Sequence, residues 1–253
     1  MFTRAIVRRP GKSMVNGLTS SYSGVPDYKK AIIQHDAYIE ALKKCGLEIQ
    51  ILEPDEQYPD STFIEDAALL TKKCAIITNP GAESRKGETL SIKETLKDYY
   101  SHIEKIIEPG TVEGGDIMMV EDHFYIGISE RTNEHGAQQV ISFLEKHGMS
   151  GSMVELKTVL HLKTGISYIE NNNLVASGEF LSKPEFQKFN LLKIEDDESY
   201  AANCIWINDT VIMPQGFPKA MNTIKSAGYA IIELDMSEFR KLDGGLSCLS
   251  LRF

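Results

Sequence analysis

Three separated stretches of the chain carry one signature: "ALKKCGLEIQILEP" (41–54), "FLEKHGMSGSMVEL" (143–156) and "TIKSAGYAIIEL" (223–234). Each reads as an amphipathic helix with basic residues in its last turn, a glycine stop, and an apolar strand closing on Glu-Pro or Glu-Leu. "IEKIIEP" (103–109) and "FNLLKIE" (189–195) fit the strand portion. A second apolar strand follows each: "FIEDAALLT" (63–71), "VEGGDIMMV" (112–120), "LHLKTGISYI" (160–169), "YAANCIWIN" (200–208) and "GGLSCLSLRF" (244–253). In the first four units a turn and a hairpin partner come next, with "ENNN" and "NDT" as turn punctuation. A helix then leads into the next unit. Self-similarity at roughly 40 to 55 residues predicts modules around a common axis, not independent domains.

The fifth unit has no hairpin partner after it. At the opposite end, "FTRAIVRRP" (2–10) is a strand with no partner before it. Pairing the two closes a five-module ring and satisfies two strand edges. The expected fold is therefore α/β, one domain over residues 1–253, with the ring closed by the N- and C-terminal strands.

In such a ring the starts of the five second strands converge. They bring Glu65 and Asp66, Glu113 with Asp116, His161, Asn203 and Cys248 towards one axis. Burying the Glu65-Asp66 pair inside "FIEDAALL" is costly without partners. A Cys with a His is the pair used for nucleophilic catalysis. Acidic neighbours keep a free thiol protonated, so this set makes sense where the substrate supplies the positive charge. A planar guanidinium does so, and carboxylates grip its N–H fork. Cys45, Cys74 and Cys204 read as small buried hydrophobes. His35, His102, His123, His135 and His147 read as solvated.

Composition narrows the setting. A net charge of −9 disfavours nucleic acid. Four cysteines without a CxxC pattern argue against a disulfide framework or a structural metal. No apolar run approaches a membrane span or a secretory leader, which points to a reducing, cytoplasmic home.

The motifs "PDSTFIEDAA", "VEGGDI", "ISERTNEHGA", "HLKTGISYI" and "DGGLSC" together resemble the guanidino-group-modifying superfamily. Within it, the chain is most similar to the dimethylarginine dimethylaminohydrolase family, essentially from end to end. The resemblance implies a pseudo-fivefold αβ propeller of ββαβ modules and hydrolysis of Nω-methylated arginine to citrulline and a methylamine. It implies Cys248 as nucleophile, His161 as acid and base, and Glu113 as the group completing the charged site. For the substrate it implies Asp66 and Glu65 at the guanidinium, and Arg85 and Arg131 at the α-carboxylate. Asp60 and Leu18 would meet the α-amino end, and Leu242 would form part of the wall. No cofactor and no metal are implied. The partner is a small guanidino molecule, with neither nucleic acid nor membrane involved and with a homodimer compatible.

Other readings stay open at this point. Arginine deiminases carry an Asp two residues after the catalytic His, where this chain has Lys163. That favours a methylated nitrogen without excluding a related amidine hydrolase or amidinotransferase. A non-catalytic five-module binding protein shares the fold, and a generic Cys-His acyl hydrolase would have no use for the carboxylates.

Overall fold

The computed structural model describes residues 1–21 and 23–253; Tyr22, in the Gly/Ser-rich stretch after Leu18, lies outside them. Among the described residues, fifteen strands run in chain order: β1 (Arg4–Arg8), β2 (Glu48–Leu52), β3 (Ala68–Leu70), β4 (Ala75–Ile77), β5 (Ile103–Lys105), β6 (Ile117–Val120), β7 (His123–Ile128), β8 (Ser150–Glu155), β9 (Ile166–Tyr168), β10 (Asn173–Ala176), β11 (Asn190–Lys193), β12 (Ile205–Ile207), β13 (Thr210–Pro214), β14 (Ala230–Leu234) and β15 (Leu251–Arg252). They form five three-stranded sheets, so the fold is mixed α/β with five units. Within each sheet the middle strand pairs antiparallel with one neighbour and parallel with the other, as β7 does with β6 and β8. The fifth sheet is assembled from both chain ends. There β1 pairs antiparallel with β15, Ala5 opposite Arg252 and Ile6 opposite Leu251, and parallel with β2.

Local chemistry explains the connecting helices. Helix α1 (Tyr28–Lys44) starts where the Asp27 side chain accepts from the Lys29 and Lys30 amides; α3 (Glu134–Lys146) starts the same way on Asn133. The helix α4 (Pro218–Ser226) begins on proline. The stops of the repeat are Gly46, Gly148 and Gly228, at φ 89°, 70° and 96°, a backbone region that favours glycine. The remaining helices are α2 (Glu88–Leu96) and the single-turn α5 (Ser237–Arg240). Among the described residues, no helix is long and apolar enough to cross a membrane.

Three expectations change. The second strands begin later than their apolar patterns suggest. Their first halves are 3-10 turns: Ile64–Ala67, Gly114–Asp116, Leu162–Thr164, Asp196–Ala202 and Ser247–Leu249. Carboxylates there bond to amides of the next unit, Asp66 to Gly115 and Asp116 to Leu162, in place of a ladder. Secondly, the third unit, β9–β11, has no α-helix between its second and third strands. Two short 3-10 segments, Gly178–Leu181 and Pro184–Phe186, replace it. Thirdly, His35 is fully buried, facing Phe239 from α1 instead of water.

These turns pack on one another: Ile64–Ala67 against Gly114–Asp116 and Ser247–Leu249, and Leu162–Thr164 against Gly114–Asp116 and Asp196–Ala202. Asn203, at the end of Asp196–Ala202, bonds to Ser247. The residues named for chemistry therefore sit on turns held by cross-unit hydrogen bonds.

Candidate active site

The turn Gly114–Asp116 follows Glu113 directly, and its glycines permit close approach. A Cβ on Gly114 would lie 2.0 Å from the Glu65 carbonyl oxygen, and one on Gly115 would lie 3.0 Å from the His161 ring. Glu113 and His161 thus meet without intervening bulk. The His161 Nε2 lies 2.8 Å from Glu113 Oε2, and Glu113 is fully buried. The other Glu113 oxygen accepts from the Ala82 amide at 3.2 Å and from Arg131 Nη1 at 3.3 Å. Asp66, Glu113 and His161 offer atoms within 4.8 Å of one another. With Gly115 and Arg85 already on the two oxygens of Asp66, a hydrogen-bonded ionic network accounts for this cluster.

Charge states follow from these contacts. Burial opposes the imidazolium of His161, but Asp66, the bond to Glu113 and Asp116 outweigh it and raise its pKa to about 9. Burial also opposes ionisation of Asp66, yet Arg85 and His161 hold it at about 2. For Glu113 the same burial is overcome by its bond to His161, and its pKa falls below the usual carboxylate range. At neutral pH the site holds an imidazolium between two carboxylates.

Cys248 opens onto the same cleft from the turn Ser247–Leu249. Enclosure by protein, then Asp66 and Glu65, push its thiol up to about 12, against smaller opposing effects from the Gly245 amide and Lys163. The free thiol is therefore protonated, as expected beside carboxylates. Its turn is fixed from outside: Asn203 Oδ1 accepts from the Ser247 amide at 3.0 Å and Asn203 Nδ2 donates to Ser247 Oγ at 3.0 Å.

One open cleft, of about 240 Å³, is lined by Leu18, Asp60, Asp66, Arg85, Glu113, Arg131, His161, Leu242 and Cys248. It brings together nine of the ten residues that the family resemblance implied. Glu65 lines the neighbouring cavity with Lys163 and Arg252. Its Oε1 accepts from Lys163 Nζ at 2.6 Å and from Arg252 Nη2 at 2.8 Å. Arg85 is buried. It donates to Asp66 at 2.6 Å, to both oxygens of Glu88, and to the carbonyls of Asp60 and Phe63. Asp60 Oδ1 accepts from the Leu18 amide at 3.0 Å, and burial raises the Asp60 pKa against the pull of Arg85.

Several contributors escaped the sequence reading. Asp243, at φ 57°, accepts from the Ser20 amide and hydroxyl, while Thr19 donates to the Lys241 carbonyl at 2.8 Å. The 18–20 segment is thereby pinned beside the nucleophile turn. Asp116 accepts from Ser129 Oγ at 2.7 Å and from the Leu162 amide at 2.9 Å, linking the Arg131 loop to the His161 turn. The aspartate inside "GGD" was visible as a strand-start acid, but its partners were not.

A family model described as N,N dimethylarginine dimethylhydrolase, eukaryotic, matches residues 23–249. The N(G),N(G)-dimethylarginine dimethylaminohydrolase of Pseudomonas aeruginosa is 61% identical over the whole of both chains. The enzyme of that name from Streptomyces coelicolor is 33% identical, over 98% of this chain and 96% of its own. A solved structure of the Pseudomonas protein, a cysteine-to-serine variant complexed with citrulline, superposes with a TM-score of 0.99 at 60% identity over all of both chains. The N-terminal domain of ArgZ, an arginine dihydrolase from cyanobacteria, has the same fold, with a TM-score of 0.90 at 17% identity, over 100% of this chain and 97% of its own. The chain belongs to the dimethylarginine dimethylaminohydrolase family.

Proposed function

We propose that this protein hydrolyses Nω-methylated arginine to citrulline and a methylamine through a covalent intermediate on Cys248. The observation that carries the reading is the His161–Glu113 pair, set with Asp66 and Cys248 around one cleft. The family and the citrulline complex of the Pseudomonas relative support the same reading. The five sheets are read as blades of a pseudo-fivefold propeller, one catalytic domain over residues 1–253, with the cleft at its axis.

The substrate guanidinium brings the charge that the site lacks. Docked beside Asp66, it offsets the repulsion that keeps Cys248 protonated. The Sγ lone pair forms a bond to the guanidinium carbon, the thiol proton leaving to solvent. The imidazolium of His161 donates its proton as the C–N bond to the methylamine breaks, leaving an S-linked thiouronium. Neutral His161 then takes a proton from water as its oxygen adds to that carbon. The C–S bond breaks, the thiol regains a proton, and citrulline leaves. Glu113 holds the His161 ring in place through both halves.

At the other end of the substrate, Arg131 and the buried positive charge of Arg85 face the α-carboxylate. Asp60, whose Oδ1 is taken by Leu18, turns its other oxygen to the α-ammonium. Leu18 and Leu242 close the wall. Glu65 acts on the guanidinium end by its field, from behind the nucleophile turn. Lys163, bonded to Glu65, stands where deiminases have a second guanidinium-binding Asp, which favours a substituted nitrogen.

The test is citrulline release from asymmetric dimethylarginine, monomethylarginine, arginine and agmatine in parallel. The methylated substrates are expected to lead by at least tenfold in kcat/KM. Arginine turned over faster than both overturns the specificity, and a fully active Cys248→Ser protein overturns the mechanism.

A further inference from the structure

We propose that Arg252 is the positioning residue of the nucleophile turn, one guanidinium clamping both flanks of Cys248 to Glu65. This rests on the reading of Cys248 as nucleophile.

The side chain of Arg252 is largely buried and uses its fork in two directions. Nη2 donates to Glu65 Oε1 at 2.8 Å. Nη1 donates to the carbonyls of Ser247 and Ser250, each at 3.1 Å, and to Ser250 Oγ at 2.8 Å. The Ser247 carbonyl belongs to the peptide that carries the Cys248 amide, and Ser250 lies two residues beyond the sulfur. Both hinges of the reactive residue are therefore held by one nitrogen. The hydroxyl of Ser250 also contacts Tyr38 Oη at 2.6 Å, and Tyr38 donates to the Leu246 carbonyl at 3.0 Å.

The anchor itself is rigid. Arg252 lies in β15, its backbone in register with Ala5 of β1. Glu65 is on the turn next to Asp66, so the clamp sets the nucleophile turn relative to the acidic turn that meets the substrate. A guanidinium can reach Glu65 with one nitrogen and the carbonyls with another. A lysine ammonium donates from a single nitrogen and lacks the span of the fork. Misplacement of a reacting atom by about 1 Å costs on the order of 100-fold in rate, so the clamp is read in kcat.

The experiment compares Arg252→Met, Arg252→Lys and Cys248→Ser on asymmetric dimethylarginine, with unfolding midpoints measured alongside. R252M is expected to lose on the order of 100-fold in kcat while KM stays within about threefold. R252K is expected to recover only part of that loss, because it keeps the charge but not the fork. An R252M protein within threefold of wild-type kcat overturns the proposal, and so does full recovery in R252K, which would leave charge alone as the cause. If R252M does not fold, R252K decides: a folded protein with kcat lowered at least tenfold and KM retained supports the clamp, and unchanged kcat refutes it. An inactive C248S beside a fully active R252M removes the role of Arg252 only; an active C248S removes the nucleophile reading itself.

Discussion

Removing the charge of Glu65 should make the resting nucleophile more reactive. In the free protein the Cys248 thiol is pushed to about 12 from an ordinary value near 9, by enclosure, then Asp66 and Glu65. That upward shift leaves about a thousandfold less thiolate at neutral pH. The more basic thiolate is the better nucleophile, and a Brønsted slope of 0.4–0.5 returns roughly 16- to 32-fold. Alkylation by iodoacetamide should then be roughly 30- to 60-fold slower than for an exposed cysteine. Its rate should rise tenfold per pH unit through about pH 9 with no plateau. Glu65→Gln deletes one of the two carboxylates and leaves Lys163 and Arg252 positive beside the thiol. One charge acting across ~10 Å at an effective dielectric of ~20 contributes about 1.7 kcal/mol, a little over one pKa unit. After the same Brønsted correction, the variant should alkylate about fivefold faster at a given pH. The assay is the pseudo-first-order rate between pH 6 and 10, with Cys248→Ser as the blank because the other three cysteines are buried. A wild-type plateau below about pH 8, or a slower E65Q protein, refutes the reasoning that the substrate activates the thiol.

Three further outcomes follow from the same geometry. Glu113→Gln should cost on the order of 100-fold in kcat and move the basic limb of the pH–rate profile to lower pH, since the carboxylate helps to hold His161 near 9; an unmoved limb refutes the pairing. His35 is held neutral down to about 4 by burial, with Arg9 acting in the same direction and Asp36 against it. The unfolded chain takes up that proton first, so the contribution is complete above pH 6.5 and falls by about 3 kcal/mol as pH drops towards 4. His35→Leu should flatten the acid side of a melting-temperature profile, and an unchanged slope refutes the assignment. Gly114→Ala, whose new carbon meets a backbone oxygen at 2.0 Å, should lower the unfolding midpoint far more than Gly115→Ala, which meets side-chain atoms at 3.0 Å; equal midpoints refute it.

The sheet-forming part of the chain was legible because helix stops and hairpin turns are written locally. Gly46, Gly148 and Gly228 mark the repeat, while Asn171, Asn172, Asn208 and Asp209 adopt the positive φ of hairpin turns. The 3-10 turns were not legible. Asp66 is satisfied by Gly115 and Asp116 by Leu162, 49 and 46 residues away, and no local pattern carries that pairing. His35 could have been placed correctly, since Ala31, His35, Tyr38 and Leu42 share the buried stripe of α1 at helical spacing. The residues proposed for the reaction were readable as chemistry, and nine of them line one cleft. Asn203 was visible as a strand-start residue, but Tyr38 and Arg252, which bond to backbone groups of the nucleophile turn, carry no signature of their own.

The pairing of β1 with β15 also has a kinetic consequence. Thr3 and Phe253, in contact there, are 250 positions apart, whereas His123 and Ser150, joined across β7 and β8, are 27 apart. Closing the longer loop costs about 2 kcal/mol more in chain entropy. Four sheets can therefore form from neighbouring segments, while the fifth waits for distant ones to meet. The thiol sits on the turn that leads directly into that late sheet. During refolding, helix and strand signals should return before turnover does, and the interval between them measures the time needed to join the ends.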